Sequence, residues 1–511
     1  MSKKQKITIL DRIERVGNAL PHPATIFLIL SAAIIVISHF MAGMTEVYEG
    51  INRTTMEVEQ ITVTVQSLLS KEGIQYLFKS AITNFTGFAP LGTVLVALLG
   101  VGLAEGTGYI GTLLKRLVLS TPARLITVVV VLAGVLSSIA SDAGYVILIP
   151  LGGIIFLSMG RHPLAGIAAA FAGVSGGFSA NIMVGPTDSL LGGLTTEGAK
   201  MLNPDYVVGI EANWYFLIAS TVLITIIGTI VTEKIVEPRL GKYTGRAEVE
   251  TMEVTKEEKR GLNFATIAVV ISLIGCYFLV GPEGAVLRGT GEGMNAVLTS
   301  PFMDSIVVII ALVFAVAGIA YGIGAKTVKN DKDVMNLMGK SMSTMGGYLV
   351  LVFFAAQFVA YFSYTNLGTI IAVRGADLLE TLGLTGIPLI LLFVLVTALI
   401  NIFMGSASAK WAIMAPIFVP MLMQMGFTPE FTQMAFRIGD STTNLISPLM
   451  SYFALIVTFA ANYDEESGIG TMISTMIPYS ISLLIGWTIL LIIWYVCNWP
   501  LGPGIEIFYN M

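Results

Sequence analysis

The sequence predicts an all-α polytopic membrane protein with about nine transmembrane helices and two re-entrant hairpins. Its 511 residues are 55% hydrophobic and only 12% charged, and the mean hydropathy is +0.82. Apolar runs of about 20 residues, the length that crosses the hydrocarbon core of a bilayer, recur along the whole chain. One segment also occurs twice, and both copies interrupt an apolar run with polar, glycine and proline residues. We therefore expect residues 1–511 to form a single integral membrane domain.

Seven of the predicted crossings are continuous apolar spans. They cover residues 24–43, 84–115, 212–232, 263–281, 302–323, 344–373 and 471–496. The other two crossings are broken helices inside the repeated segments, and each brings polar residues to membrane depth. Irregular backbone of this kind is tolerated in a membrane only where protein or a water-filled cavity covers it.

The repeat is recognised by residues that keep a fixed register. Pro150 aligns with Pro416, Gly160 with Gly426, Pro163 with Pro429, Gly173 with Gly439 and Ser175 with Ser441. In each copy a hairpin with a polar tip precedes a broken helix. Repeat one spans 84–232, with its hairpin at about 125–158 and its broken helix at 163–204, and repeat two spans 344–496, with its hairpin at about 387–425 and its broken helix at 429–461. Such paired broken segments indicate the binding site of a secondary transporter.

The distribution of the 28 lysines and arginines predicts the orientation of the chain. Most of them fall in the N-terminal segment and in the loops at 233–262 and 325–341, which we place in the cytoplasm together with the N-terminus. Five predicted crossings separate the two hairpins, so the first hairpin enters from the cytoplasm and the second from outside. The repeat is then inverted, and the two tips meet near the bilayer midplane.

Ionisable side chains at membrane depth are costly and are therefore functional candidates. The candidates are Glu105, Asp142, Asp188, Asp304, Lys410, Arg437 and Asp440. The planar guanidinium of Arg437 suits a substrate carboxylate, and the alternative is that Asp440, three residues further on, neutralises it. Trp411, beside the second tip, suits stacking on an aromatic ring or else ordinary packing, and Tyr145 holds the equivalent place in the first copy.

Compact oxygen donors gather near the breaks and suit a sodium ion held together with unwound backbone carbonyls. They are Ser179, Asn181, Asn401, Ser408, Ser441, Thr442, Thr443 and Asn444. The carboxylates of Asp142, Asp188 and Asp440 suit either that cation or a proton, although Asp142 also suits the N-cap of a helix. The coupling ion therefore remains open between proton and sodium. No other cofactor is expected, because two separated cysteines and three scattered histidines form no metal-binding motif.

At these segments the sequence closely resembles the p-aminobenzoyl-glutamate transporter (AbgT) family. The resemblance covers nearly the full length and is carried, in one order, by ILDRIERVGNALPHP, GFAPLG, SSIASDAGYVILIP, GRHPLAGIAAAFAGV, NWYF, EPRLGKY, APIFVPM and FRIGDS. It implies an elevator-type homodimer in a bacterial inner membrane, and a small substrate with a glutamate dicarboxylate and an aromatic amine. It also implies a substrate path past Asp188, Asn401, Ser408, Trp411, Pro429, Arg437, Asp440 and Pro448.

We therefore expect a secondary transporter of p-aminobenzoyl-glutamate or a related folate catabolite, driven by a proton or sodium gradient. The alternatives are a proton-driven exporter of sulfonamide-type antimetabolites and a sodium-coupled dicarboxylate transporter. An intramembrane aspartyl protease is disfavoured, because the Gly-x-Gly-Asp motif of such enzymes is replaced here by Arg437-Ile438-Gly439-Asp440. A passive channel is disfavoured, because two inverted broken units suit alternating access better than a continuous pore. No nucleic-acid signature is present, so the expected partners are the substrate, the lipid bilayer and a second subunit.

Overall fold

The computed structural model describes residues 21–51, 58–140, 144–245, 253–290, 295–298, 300–450, 452–465 and 467–509. The candidate Asp142 lies outside this part of the chain, as do residues 1–20, which carry the predicted cytoplasmic N-terminus. The residues that the structure describes are mostly helical and include one two-stranded antiparallel sheet.

The first half of the chain supplies the helices of repeat one and a β-hairpin that the all-α prediction did not include. Its elements are α1 Pro23–Phe40, β1 Thr45–Ile51, β2 Val58–Thr64, α2 Lys71–Lys79, α3 Ala81–Thr86, α4 Ala89–Gly106, α5 Tyr109–Leu119, α6 Ile126–Leu136, α7 Ile149–Ser158, α8 Pro163–Phe171, α9 Pro186–Ala199, α10 Trp214–Val231 and α11 Glu237–Leu240. Short 3₁₀ helices lie at Ala123–Leu125 and Ser137–Ala140, and π-helical segments at Gly144–Leu148, Ala172–Gly176 and Thr232–Val236.

The second half supplies the helices of repeat two after two peripheral spans. Its elements are α12 Lys256–Val280, α13 Asn295–Leu298, α14 Pro301–Asp304, α15 Ile306–Ala325, α16 Asp331–Ser343, α17 Gly346–Tyr364, α18 Leu367–Thr381, α19 Gly386–Phe403, α20 Ala407–Gln424, α21 Pro429–Asn444, α22 Phe453–Ala461 and α23 Ile469–Cys497.

Eight helices in the described residues are long and apolar enough to cross a membrane. They are Pro23–Phe40, Ala89–Gly106, Trp214–Leu240, Lys256–Val280, Ile306–Ala325, Gly346–Tyr364, Gly386–Phe403 and Ile469–Cys497. The number rises to nine if the pair Tyr109–Leu119 and Ala123–Ile139, bent by 112°, counts as one span. The predicted class, a helical polytopic membrane protein, is confirmed. Seven of the eight match the predicted continuous spans, and the eighth, α19, is the first arm of the second predicted hairpin.

Two spans that the sequence predicted as continuous are interrupted, so that part of the prediction is wrong. Span 84–115 divides into α4 and α5 at Gly108, and span 344–373 divides into α17 and α18 at Asn366. Both residues have left-handed backbone, with φ of 93° and 58°. A left-handed residue ends an α-helix, and glycine and asparagine are the residues that tolerate it. The hydropathy pattern does not reveal either break, because apolar side chains continue on both sides of each turn.

The two predicted hairpins share their local structure. Hairpin one is formed by α6 and α7 and hairpin two by α19 and α20, and each ends at a left-handed glycine. These glycines are Gly160, with φ of 70°, and Gly426, with φ of 81°. A proline, Pro163 or Pro429, then begins the next helix. Proline lacks a backbone N–H, but the N–H at the first position of a helix has no intrahelical partner, so no hydrogen bond is lost.

Both predicted broken helices are interrupted, but the polar run 439–444, which the sequence placed inside the second interruption, is the helical end of α21. Broken helix one consists of α8 with its π-helical extension and α9, separated by residues 177–185, and broken helix two consists of α21 and α22, separated by 445–452. Every residue of α21 is buried although more than half are polar, and α21 packs against α19, α20, α23 and the π-helical end of broken helix one. A polar helix buried on all sides marks the centre of the molecule as the place to look for a site. The inverted orientation of the two copies stays a prediction.

Two equivalent glycines allow each hairpin to approach its broken helix closely. A Cβ atom on Gly173 would lie 2.3 Å from the carbonyl oxygen of Val131 in α6. A Cβ atom on Gly439 would lie 2.5 Å from the carbonyl oxygen of Val394 in α19. Both distances are below any ordinary van der Waals contact, so a side chain at either position would force the two backbones apart.

We expect Gly173→Ala and Gly439→Ala each to lower the free energy of unfolding by about 1–3 kcal/mol, because overpacked backbones cannot yield as a flexible side chain does. Gly275→Ala in α12 is the matched control, since no atom lies within 4 Å of its Cβ position. The control should be neutral or slightly stabilising, because alanine favours a helix over glycine. Unfolding of the purified variants in detergent gives the comparison. Equal stability of all three variants would contradict the close approach.

Candidate substrate and ion site

A cavity of about 240 Å³ lies where the two hairpins and the two broken helices meet. Its polar and aromatic walls come from Tyr145 in hairpin one, residues 405–408 at the tip of hairpin two, Phe178 and Thr187 at the first break, and Asn444, Met450 and Tyr452 at the second break. Both repeats therefore contribute to one chamber, which we call the central pocket. Of the predicted substrate residues, Ser408 lines it directly, and so does Asn444 from the predicted ion ligands.

Two tyrosines from opposite halves form one wall of the central pocket. The rings of Tyr145 and Tyr452 are stacked, with centroids 4.6 Å apart and planes tilted by 10°. The Tyr145 hydroxyl donates to Met450 Sδ at 3.9 Å, and the Ser175 hydroxyl donates to the same sulfur at 3.1 Å. This arrangement presents a rigid aromatic surface to the pocket. The repeat register pointed to Tyr145, but sequence reasoning missed Tyr452, which carries no motif.

Arg437 is paired across the repeats with Asp188. Its Nη1 lies 2.7 Å from Asp188 Oδ1, and Asp188 Oδ2 accepts from the backbone N–H of Gly185 at 2.7 Å. The guanidinium is fully buried, and its Nε has no hydrogen-bond partner among the described residues. The alternative that Asp440 neutralises Arg437 is wrong, because Asp440 turns towards hairpin two. In this structure Asp188 holds the guanidinium that we predicted to hold a substrate carboxylate.

Asp440 is instead paired with Lys410 of hairpin two. Lys410 Nζ lies 2.5 Å from Asp440 Oδ1, and both side chains are fully buried. The same ammonium donates to Asn401 Oδ1. Asn401 Nδ2 then donates to the backbone carbonyl of Asp440 at 2.6 Å and to Thr443 Oγ1 and Asn444 Oδ1 at 2.9 Å. The tip of hairpin two is thus held against α21 by the contacts among Lys410, Asn401 and Asp440.

Trp411 packs inside the protein and does not line the central pocket. The ring is fully buried, with its centroid 4.4 Å from that of Phe436, and Nε1 donates to Thr195 Oγ1 at 2.9 Å. The packing alternative therefore describes this structure. The aromatic residue that reaches the pocket is Tyr145, its counterpart in repeat one.

The remaining predicted residues divide between the two breaks. Ser179 and Asn181 lie at the first break and line a second, much smaller cavity together with Asp188. Ser441 is fully buried in α21, and its hydroxyl has no hydrogen-bond partner among the described residues. Thr442 bonds back to its own helix through the carbonyl of Ile438.

The other predicted residues lie further from the central pocket. Pro429 begins α21 and Pro448 lies in the second break, while Glu105 and Asp304 end α4 and α14. None of these four lines the pocket. Within the described part of the chain, no group of three or more His, Cys, Asp or Glu residues is arranged to hold a metal ion.

Comparison with known proteins agrees with this architecture. Residues 8–509 match the model of the "AbgT putative transporter family". The p-aminobenzoyl-glutamate transport protein of Escherichia coli K12 is 38% identical over 504 residues, which cover 99% of this chain and 98% of that protein.

Two solved structures are also similar over almost the whole chain. The YdaH transporter of Alcanivorax borkumensis is 46% identical, with a TM-score of 0.88 over 94% of this chain and 100% of that one. MtrF of Neisseria gonorrhoeae, described as illuminating a class of antimetabolite efflux pumps, is 47% identical, with a TM-score of 0.90 over 98% of this chain and 100% of that one. The chain is a multi-pass membrane protein of the AbgT family, which is a family of transporters and not of enzymes.

Proposed function

We propose that this protein transports p-aminobenzoyl-glutamate or a related folate fragment by secondary active transport, and that the central pocket holds the substrate. The Escherichia coli relative carries the name of that substrate. The observation that carries the proposal is the composition of the pocket, in which an aromatic wall faces two helix N-termini. A substrate with an aromatic ring at one end and carboxylates at the other matches both parts.

The aromatic end of the substrate packs against the Tyr145–Tyr452 pair. Aromatic groups gain from offset stacking or edge-to-face contact with such rings, beyond the area that they bury. The carboxylate end faces the N-terminus of α20, where Ser406 and Ser408 line the pocket, and the N-terminus of α9 beside Thr187. Helix N-termini present backbone N–H groups and the positive end of the helix dipole, which favours anions.

Arg437 has a supporting role in this proposal. Its pairing with Asp188 joins broken helix two to broken helix one directly behind the first break. The two partners neutralise each other before and while the substrate binds. A lone guanidinium or a lone carboxylate would leave an unpaired charge inside the membrane, which is costly.

Transport then follows an elevator movement of the hairpins and broken helices against the remaining helices. The dense packing of α21 with both hairpin-two arms supports movement as one body. The scaffold helix α12 is strongly apolar, and few of its side chains are buried, as expected of a surface that faces lipid or a second subunit. The proposal includes a homodimer in the bacterial inner membrane with a cytoplasmic N-terminus, in agreement with the charge distribution.

Uptake into proteoliposomes tests the substrate and the aromatic wall together. We expect radiolabelled p-aminobenzoyl-glutamate to accumulate under an imposed ion gradient, and Tyr145→Leu and Tyr452→Leu each to raise KM by about tenfold through loss of ring contact. Tyr145→Phe and Tyr452→Phe are the matched controls, because they keep the ring and should keep KM near its original value. Leucine variants with an unchanged KM would exclude this wall as the ring site.

Export of antimetabolites is the second candidate function, because MtrF, at 47% identity, is described with a class of antimetabolite efflux pumps. The two functions differ in direction and in the need for a carboxylate. Counterflow with either p-aminobenzoyl-glutamate or a sulfonamide inside the liposomes separates them. Exchange of labelled p-aminobenzoyl-glutamate for both compounds supports one shared pocket, whereas exchange of a labelled sulfonamide for unlabelled sulfonamide, with no exchange of p-aminobenzoyl-glutamate, supports the exporter.

A further inference from the structure

Met450 lies where both hairpins and both broken helices meet. It belongs to the second break and lines the central pocket, with 8% of its surface exposed. Its Sδ accepts from Tyr145 of hairpin one and from Ser175 of broken helix one. Hairpin two reaches its backbone, because a Cβ atom on Gly405 would lie 3.0 Å from Met450 Cα and 2.6 Å from the carbonyl oxygen of Leu449. Met450 therefore connects the elements that build the pocket.

Ser175 fixes the direction of the Met450 side chain. Its hydroxyl is fully buried and donates to Met450 Sδ at 3.1 Å, whereas the Tyr145 hydroxyl lies further away, at 3.9 Å. A helical serine usually bonds back to its own helix, so a bond to a sulfur on another element is a departure. Ser441, the equivalent residue of repeat two, has no hydroxyl partner among the described residues, so the repeated backbone does not itself require this bond. Because methionine has three rotatable side-chain bonds, a donor at its sulfur selects one of several rotamers.

The thioether of Met450 suits an aromatic ring and offers nothing to a carboxylate. Sulfur is polarisable and contacts aromatic rings favourably at about 5 Å, often at the ring edge. It is only a weak hydrogen-bond acceptor and has no proton to donate, so it does not hold an anion. Met450 lines the central pocket together with the stacked Tyr145–Tyr452 pair. The sulfur and the two rings therefore bound the same end of the pocket, and the helix N-termini bound the other.

We propose that the Met450 thioether, held in one orientation by Ser175, is a specificity-determining contact for the aromatic ring of the substrate. The inference rests on the proposed function and deepens it at the ring end of the same pocket. Met450 touches the ring, and Ser175 is a positioning residue because it acts through Met450. A dicarboxylate without a ring occupies the carboxylate end alone and gains nothing from the two residues. The Ser175–Met450 pair therefore selects aromatic substrates over plain dicarboxylates.

Uptake of labelled p-aminobenzoyl-glutamate into proteoliposomes tests the pair, with N-acetyl-glutamate as a competitor that lacks the ring. We expect Met450→Leu, which conserves volume, and Ser175→Ala each to raise KM by about two- to tenfold, the range of a sulfur–aromatic contact. The kcat and the inhibition by N-acetyl-glutamate should stay unchanged. The double variant should match Met450→Leu alone, because residues that act through one contact are not additive. Ser189→Ala is the matched control, because that hydroxyl is buried without a partner but does not line the pocket.

Met450→Leu with an unchanged KM overturns the ring contact, and so does a matching change in the inhibition by N-acetyl-glutamate, which would show a general effect on the pocket. A double variant whose KM rises by the product of the two single effects overturns the positioning role of Ser175. An original protein that takes up no p-aminobenzoyl-glutamate overturns the proposed function alone. Uptake of a labelled sulfonamide that carries an aromatic amine then decides the inference, because Met450→Leu should raise its KM over the same range, and an unchanged KM overturns the contact.

Discussion

Arg437→Met should abolish transport and lower the free energy of unfolding by about 3–5 kcal/mol, the usual cost of leaving one member of a buried ion pair without its partner. Arg437 is 1% exposed and Asp188 is 8% exposed, so little water reaches the carboxylate that the substitution leaves behind. The pair also joins α21 to α9, and its loss therefore disconnects the two broken helices that build the central pocket. Chemical unfolding in detergent and uptake in proteoliposomes measure the two effects.

The double variant Arg437→Met with Asp188→Asn is the decisive control for this pair. It removes both charges, so we expect most of the lost stability to return, while transport stays absent because the link between α21 and α9 is not restored. Arg374→Met provides a matched surface control, since its pair with Glu46 is 50% and 22% exposed and should contribute less than about 1 kcal/mol. If Arg437→Met were no more destabilising than Arg374→Met, the buried pair would not be a stabilising link.

Much of the architecture follows from local signals in the sequence. Pro163 and Pro429 mark helix starts because proline is accommodated only in the first turn, and Gly160 and Gly426 mark the preceding turns because they adopt positive φ. Such signals act over a few residues and are readable without tertiary structure. They identify the starts of α8 and α21, at Pro163 and Pro429.

The identity of charge partners could not be read in the same way. Arg437 and Asp440 are neighbours in sequence, yet each takes its partner from another element, Asp188 and Lys410 respectively. Three residues along a helix leave the two side chains only about 60° apart, so the spacing allows a direct pair but does not exclude partners from other elements. Which partners form depends on how four helices pack. Trp411 illustrates the same limit, because a ring beside a polar tip points towards the pocket or away from it according to that packing.

Lys410→Met should lower the free energy of unfolding by about 3–5 kcal/mol, because it leaves the Asp440 carboxylate buried without its cation. Both side chains have no exposed surface, and Asp440 Oδ2 has no hydrogen-bond partner among the described residues that would compensate. The ammonium also joins the Asp440 carboxylate to the side-chain oxygen of Asn401. We therefore expect the tip of hairpin two to detach locally from α21, which hydrogen exchange at residues 405–410 would detect as faster exchange.

The double variant Lys410→Met with Asp440→Asn separates a charge effect from a packing effect. Asparagine keeps the shape of aspartate and can still accept a hydrogen bond, and methionine keeps the length of lysine, so the double variant should recover most of the stability and the slow exchange of the tip. A double variant as unstable as the single one would show that Lys410 acts through its hydrogen bond to Asn401 and not through Asp440.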